Sequence, residues 1–172
     1  MTTWVALLRA VNLGPNNKIA MADFRALLEH LGYDDVLTLA VSGNAVFTSP
    51  ARAAATIEKA IESALAKDLK LNVRAIVRSS AQLAKVVKET PFANAPAREV
   101  HVGFCKGAPH QPGLDPKTYA PDELALGTNV VYLRLPNGQS GSRLPDLEKL
   151  LGIPITRRTW NVVTKLNAMA RD

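Results

Sequence analysis

Residues 3–11, Thr-Trp-Val-Ala-Leu-Leu-Arg-Ala-Val, are strand formers that are apolar at both parities except at Arg9. Successive side chains of a strand point to opposite sides of a sheet, so a strand apolar on both parities must be covered on both faces. The cover is expected from a helix or from the other half of the chain. This constrains function as well as fold. Trp4 on the first strand and Phe47 on the third stand where an RNA-recognition fold stacks bases, but such a platform needs one wetter face than this strand offers.

The polar turn Asn12-Leu13-Gly14-Pro15-Asn16-Asn17 ends the strand, and Met21, Phe24, Leu28 and Leu31 then recur at helical spacing up to Gly32, a C-terminal stop. Residues 36–41 and 45–48 flank Ser42-Gly43-Asn44, where Gly and Asn tolerate the positive φ of a tight antiparallel hairpin. Ser49-Pro50 predicts an N-cap with proline at the first helical position, ahead of the stripe Ala54, Ile57, Ile61, Leu65. Leu71, Val73, Ala75 and Val77 alternate with polar residues as a strand. Ser79 with Gln82 makes a capping box for a helix carrying Leu83, Val86 and Val87 that stops at Pro91. The first half therefore reads βαββαβ plus one helix.

The second half follows the same order more weakly. Val100, Val102 and Phe104 alternate as a strand; the Pro- and Gly-rich residues 107–121 form a loop or short helix; and residues 123–126 and 129–135 make a hairpin around Gly127-Thr128. Leu144, Leu147, Leu150 and Leu151 predict a helix with Pro145 in its first turn and Gly152 past its end. Residues 153–157 predict a strand, and Trp160, Val163, Leu166 and Ala170 a terminal helix capped by Thr159. No residue-level repeat is visible, so the duplicated plan rests on element order. The predicted fold class is α+β, with two ferredoxin-like (α-β plait) halves at residues 1–90 and 96–172 and a linker near 89–97.

At 172 residues the chain is long enough to bury about 70 percent of its unfolded surface. Its 47 percent apolar and 21 percent charged residues exclude the composition of a disordered chain. No apolar run approaches the roughly 18 residues of a membrane span, and Met1-Thr2-Thr3 has no basic export region, so a cytoplasmic location without membrane contact is expected. The single cysteine, Cys105, has no partner for a disulfide and sits beside Phe104 as a buried thiol suited to a reducing compartment.

A net charge of +6 attracts phosphate-bearing partners. The basic residues are scattered, however, with Arg157-Arg158 the one adjacent pair, so nucleic acid is not the favoured partner. His30, His101 and His110 have no metal-ligand spacing, no G-x-S-x-G elbow is present, and no metal or cofactor is implied. The loop from Asn12 to Lys18 lies between a strand and a helix, where backbone amides and a lysine can cradle a phosphate. It lacks the second glycine and the Lys-Ser/Thr ending of a P-loop, and its asparagines equally suit a turn and a helix cap.

Taken in order, Arg9-Ala10-Val11-Asn12-Leu13-Gly14, Asn17-Lys18-Ile19-Ala20-Met21 and Ser42-Gly43-Asn44-Ala45-Val46-Phe47 resemble the opening of the domain-of-unknown-function family 1697. Gly141-Ser142-Arg143-Leu144, and Arg158-Thr159-Trp160-Asn161 with Val163-Thr164-Lys165-Leu166, resemble its closing elements. The resemblance implies two α-β plait halves and no established activity. Ala10 and Pro15 replace glycines of that pattern, Arg143 a lysine, and Thr159 an asparagine that would also cap a helix.

The expected function is a binding protein for an anionic, nucleotide-like ligand held in a polar cleft between the halves. Arg9, Asn12, Lys18, Ser42, Asn44, Arg143 and Arg158 are its candidate residues, because polar loops on a rigid scaffold commonly carry sites. The alternatives are an enzyme acting on a phosphorylated metabolite, a protein–protein assembly module, and nucleic-acid binding.

Overall fold

The structure, a computed structural model, describes residues 1–110, 113 and 115–171. The chain runs β1 (Thr2–Leu8), α1 (Met21–His30), β2 (Asp34–Leu39), β3 (Asn44–Ser49), α2 (Ala54–Leu69), β4 (Ala75–Ser79) and α3 (Ser80–Lys88). It continues through β5 (Val100–Cys105), a 3-10 turn at Pro116–Tyr119, β6 (Glu123–Gly127), β7 (Val130–Arg134), α4 (Leu147–Leu151), β8 (Ile155–Thr159) and α5 (Trp160–Met169). The strands form two four-stranded antiparallel sheets of order β2-β3-β1-β4 and β6-β7-β5-β8. That order is the α-β plait, twice over. Two compact units result, Met1–Ala84 with Lys165–Asp172, and Lys85–Thr164.

In the first unit Trp4, Ala6, Leu8, Ala45, Phe47 and Val77 pack with Phe24, Leu28, Ile57, Ile61 and Leu65, the buried stripes of α1 and α2. The other parity of the same strands, Val5, Leu7, Val46 and Ile76, is buried too. Trp4 at 5 percent exposure and Phe47 at 0 percent leave no open aromatic platform for RNA bases.

Strand register reveals a duplication that residue identity hides. Trp4 lies opposite Phe47 and Ser79 as His101 lies opposite Leu133 and Thr159, so Trp4 and His101 occupy one position of the two plaits. The loop bonds repeat with it. Leu8 N–H donates to Gly43 O at 2.8 Å and Cys105 N–H to Asn129 O at 2.9 Å; Arg9 N–H donates to Arg74 O and Lys106 N–H to Pro154 O, both at 2.9 Å. A helix glutamate accepts from the first N–H of each fourth strand, Glu62 from Ala75 at 3.1 Å and Glu148 from Ile155 at 2.9 Å. Glu58 does the same for Val77 at 3.0 Å. These carboxylates satisfy strand N–H groups that an edge would otherwise offer to another chain.

Several local expectations need correction. Ser49 does not cap α2: it pairs with Thr2 as the last residue of β3, its hydroxyl accepts from Ala51 N–H at 3.1 Å, and α2 starts five residues later behind an Ala53 cap without a side-chain bond. Ladder pairing outweighs the local Ser-Pro signal. Asp146, rather than the Pro145 turn, starts α4, accepting from Glu148 and Lys149 N–H. Among the described residues the second unit has only the Pro116–Tyr119 turn where the first has α1.

Other signals hold. Ser79 and Gln82 form the reciprocal capping box, at 2.9 and 3.2 Å, and Thr159 Oγ1 accepts from Val162 N–H at 3.4 Å. Thr159→Ala is therefore expected to cost about 1 kcal/mol and Thr159→Asn little. Urea denaturation showing no loss for the alanine variant would remove the capping role.

Candidate functional site

Five of the seven sequence-derived candidates lie in the first unit, on two touching loops at the end of β1. Asn12 organises them. Its side-chain amide donates to Ile19 O at 3.0 Å and to Val41 O at 2.7 Å, its Oδ1 accepts from Ile19 N–H at 2.9 Å, and its own N–H donates to Asn17 O at 3.1 Å. The loop 12–19 is thus closed on itself and tied to the hairpin 40–43. Asn44 is fully buried and donates to Leu39 O and to Ser42 Oγ, both at 2.8 Å. Asn12, Ser42 and Asn44 therefore shape the loops, while Arg9, half-buried just past β1, and exposed Lys18 bring the charge.

This region carries backbone strain. Ala10, Asn12 and Asn17 all take left-handed conformations, with φ of 55°, 57° and 54°. Asparagine tolerates that region, but alanine at Ala10 pays about 1–2 kcal/mol that glycine would not. The expectation of glycine at position 10 thus has a geometric basis. The loop leads into α1, whose Ala20 N-cap makes no side-chain bond to the first turn.

Arg143 and Arg158 belong to the second unit, where they are not brought together. Arg143 N–H donates to Asp122 Oδ2 at 2.6 Å and its guanidinium reaches Ala120 O at 3.2 Å. Arg158 lies on β8 opposite Val102, 6 percent exposed, donating to Thr156 Oγ1 at 2.6 Å and to Arg157 O at 2.9 Å. Desolvation pulls its pKa down to about 10, so it remains a buried cation at neutral pH. Its counterpart by register is Arg78, opposite Val5 and also buried.

The second unit also holds a polar group that sequence reasoning missed. Asp122, 1 percent exposed, accepts from Ser142 Oγ at 3.0 Å as well as from Arg143 N–H, and Ser142 Oγ in turn accepts from Leu144 N–H at 3.2 Å. The Gly141-Ser142-Arg143-Leu144 motif is therefore a clasp on a buried carboxylate. His101 is buried with its Nδ1 3.4 Å from Gln139 Nε2, and desolvation followed by the nearby Arg157 charge lowers its pKa. Arg157 is exposed yet crowded enough for desolvation to lower its pKa, an effect the Asp122 charge opposes; its exposure governs, and it stays protonated. The motif was legible, but its partner Asp122 lies 20 residues earlier with no local pattern to mark it. Among the described residues, no group of His, Cys, Asp or Glu is arranged to hold a metal ion, and no helix is long and apolar enough to cross a membrane.

The family described as protein of unknown function DUF1697 matches residues 1–132, and the chain belongs to it. Among solved structures it is similar to the conserved bacterial protein SP0830 from Streptococcus pneumoniae, at 22 percent identity, with 99 percent of each chain covered and a TM-score of 0.76. At that identity the likeness supports the two-plait fold and no activity. No curated protein matches the chain.

Proposed function

We propose that the protein binds a small anionic, nucleotide-like ligand at the loops that follow β1, with Arg9 and Lys18 meeting its phosphate and Asn12, Ser42 and Asn44 holding the loops in place. The observation that carries this reading is the closed loop 12–19, entered through the strained Ala10, which presents Lys18 ahead of a helix whose first turn has no side-chain cap. Backbone strain is kept where surrounding structure over-determines it, often at ligand sites, and an open helix N-terminus favours a phosphate. An enzyme acting on a phosphorylated metabolite would use the same phosphate contacts and would differ by consuming its ligand.

A thermal-shift screen of nucleotides, sugar phosphates and short oligonucleotides tests this on wild type and Lys18→Ala. A ligand at about 100 times its dissociation constant adds about 2.7 kcal/mol of stability, several degrees in Tm. Lys18→Ala should lose that shift and keep the unliganded Tm, because an exposed lysine contributes little to folding. No shift with any anion, or an equal shift in the variant, would end the proposal.

A further inference from the structure

The duplicated plait sets two groups of loops at matching positions, and they differ in charge. The bonds from Leu8 to Gly43 and from Arg9 to Arg74 in the first unit correspond to those from Cys105 to Asn129 and from Lys106 to Pro154 in the second. The loop after β5 and the β6–β7 hairpin therefore stand where the first unit has the loop after β1 and the hairpin 40–43. In the second unit this place opens into a cleft of about 490 Å3. Residues 126–129 of the hairpin form one wall, Ala108 and Pro109 another, and Glu89, just past α3, a third.

Each wall is anchored by the fold. Tyr132 Oη donates to Val86 O at 2.8 Å, tying β7 to α3 one turn before Glu89, whose own N–H donates to Lys85 O at 2.9 Å. A Cβ on Gly127 would stand 2.9 Å from both Tyr132 Cε2 and Val130 Cγ2, so the hairpin backbone rests directly on the tyrosine ring. Lys106 N–H donates to Pro154 O at 2.9 Å and His110 N–H to Leu151 O at 2.8 Å, which holds both ends of the loop carrying Ala108 and Pro109. A cleft with walls fixed in this way loses little affinity to reorganisation, and its volume falls within the roughly 300–1,000 Å3 of small-molecule sites.

We propose that this cleft binds an uncharged monosaccharide, whose adjacent hydroxyls donate to the Glu89 carboxylate and exchange hydrogen bonds with Thr128 and Asn129. The lining selects this class. Among the described residues that line the cleft Glu89 alone is charged, so an anion is repelled with no cation to offset it. A cation would compete with Lys85, whose Nζ already stands 3.9 Å from Glu89 Oε1. A wholly apolar ligand would cover the carboxylate and the Thr128 hydroxyl and leave both without partners. A sugar supplies adjacent hydroxyls of the kind a carboxylate accepts from ribose in dinucleotide sites, and its C–H face suits the apolar surface of Pro109 and Leu126.

The test is an NMR titration of the full-length protein with ribose, glucose, galactose and mannose, and with the uronate and 2-amino forms of the three hexoses as charge controls. At least one neutral sugar should bind, and neither charged form of a hexose should bind more tightly than the neutral one. Glu89→Gln keeps the shape of the side chain and removes its charge, and it should weaken binding roughly tenfold. Thr128→Val removes one hydroxyl and should weaken it about two- to tenfold. Both positions are exposed, so the unliganded Tm of each variant should stay near wild type. Lys18→Ala should leave sugar binding unchanged, and Glu89→Gln should leave any anion-induced thermal shift unchanged, which separates this cleft from the loop site of the first unit. Absence of binding by every neutral sugar, tighter binding of a uronate or amino sugar, or equal binding by wild type and both cleft variants would overturn the proposal.

Discussion

Phe47→Ala is expected to destabilise the protein by about 3–5 kcal/mol, the range for removing a large aromatic side chain from a packed core. Phe47 is fully buried, pairs with Trp4 across the centre of the first sheet and stacks on Tyr33 with ring centroids 4.7 Å apart. The stacking adds about 0.5–1.5 kcal/mol beyond area burial. Global stabilities of about 5–15 kcal/mol make this a large fraction of the total. In urea denaturation the midpoint should fall while the slope stays near its wild-type value. A base-stacking Phe47 would behave oppositely, losing RNA affinity with little change in midpoint, so a loss below about 1 kcal/mol would reopen the platform reading.

Burial of Phe47 was legible because β1 is apolar on both parities and its neighbours had to be covered. The hairpin at Ser42-Gly43-Asn44, the Ser79-Gln82 capping box and the Thr159 cap were legible for a similar reason: each depends on residues within a few positions of one another. The N-cap at Ser49 misled because cross-strand pairing with Thr2, 47 positions away in the chain, decides that residue's backbone. Distance in sequence also hid the carboxylate clasp and the Asn12 bridge to Val41, 29 residues apart. Element order already suggested the duplication, but it was hidden at the level of residues because matched positions carry Trp4 and His101, or Val77 and Arg157, whose chemistry diverged while the register did not. Of the candidate residues, the loop cluster of the first unit was recognisable by its polar interruption of an apolar pattern. The structure divides its members into those that shape the loops and those that bring charge.

Gly43→Ala is expected to cost about 2–5 kcal/mol, from two separable causes. Gly43 has φ +84°, where an L side chain pays about 1–2 kcal/mol. A Cβ there would also stand 2.8 Å from Leu8 Cβ and 2.9 Å from Val11 Cγ2, and forcing a methyl into a packed site costs a further 1–3 kcal/mol or so. Gly32 is the control, since it has the same φ of +84° but nothing within 4 Å of where a Cβ would stand. Gly32→Ala should show the backbone cost alone. Gly43→Asn separates the causes from the other side, because asparagine tolerates the left-handed region, as Asn129 does at the matching place in the second unit with φ 55°, but still carries the clashing Cβ. The expected order of loss in urea denaturation is Gly43→Ala above both Gly43→Asn and Gly32→Ala. Equal losses for Gly43→Ala and Gly32→Ala would show that the contact with Leu8 and Val11 costs nothing. The close approach has a purpose in the loops: Gly43 O accepts from Leu8 N–H at 2.8 Å, and that bond fixes the hairpin against the end of β1, where Asn12 reaches Val41. Pushing Gly43 away from Leu8 should therefore also loosen the loop carrying Lys18, so any anion-induced thermal shift should shrink in Gly43→Ala and persist in Gly32→Ala.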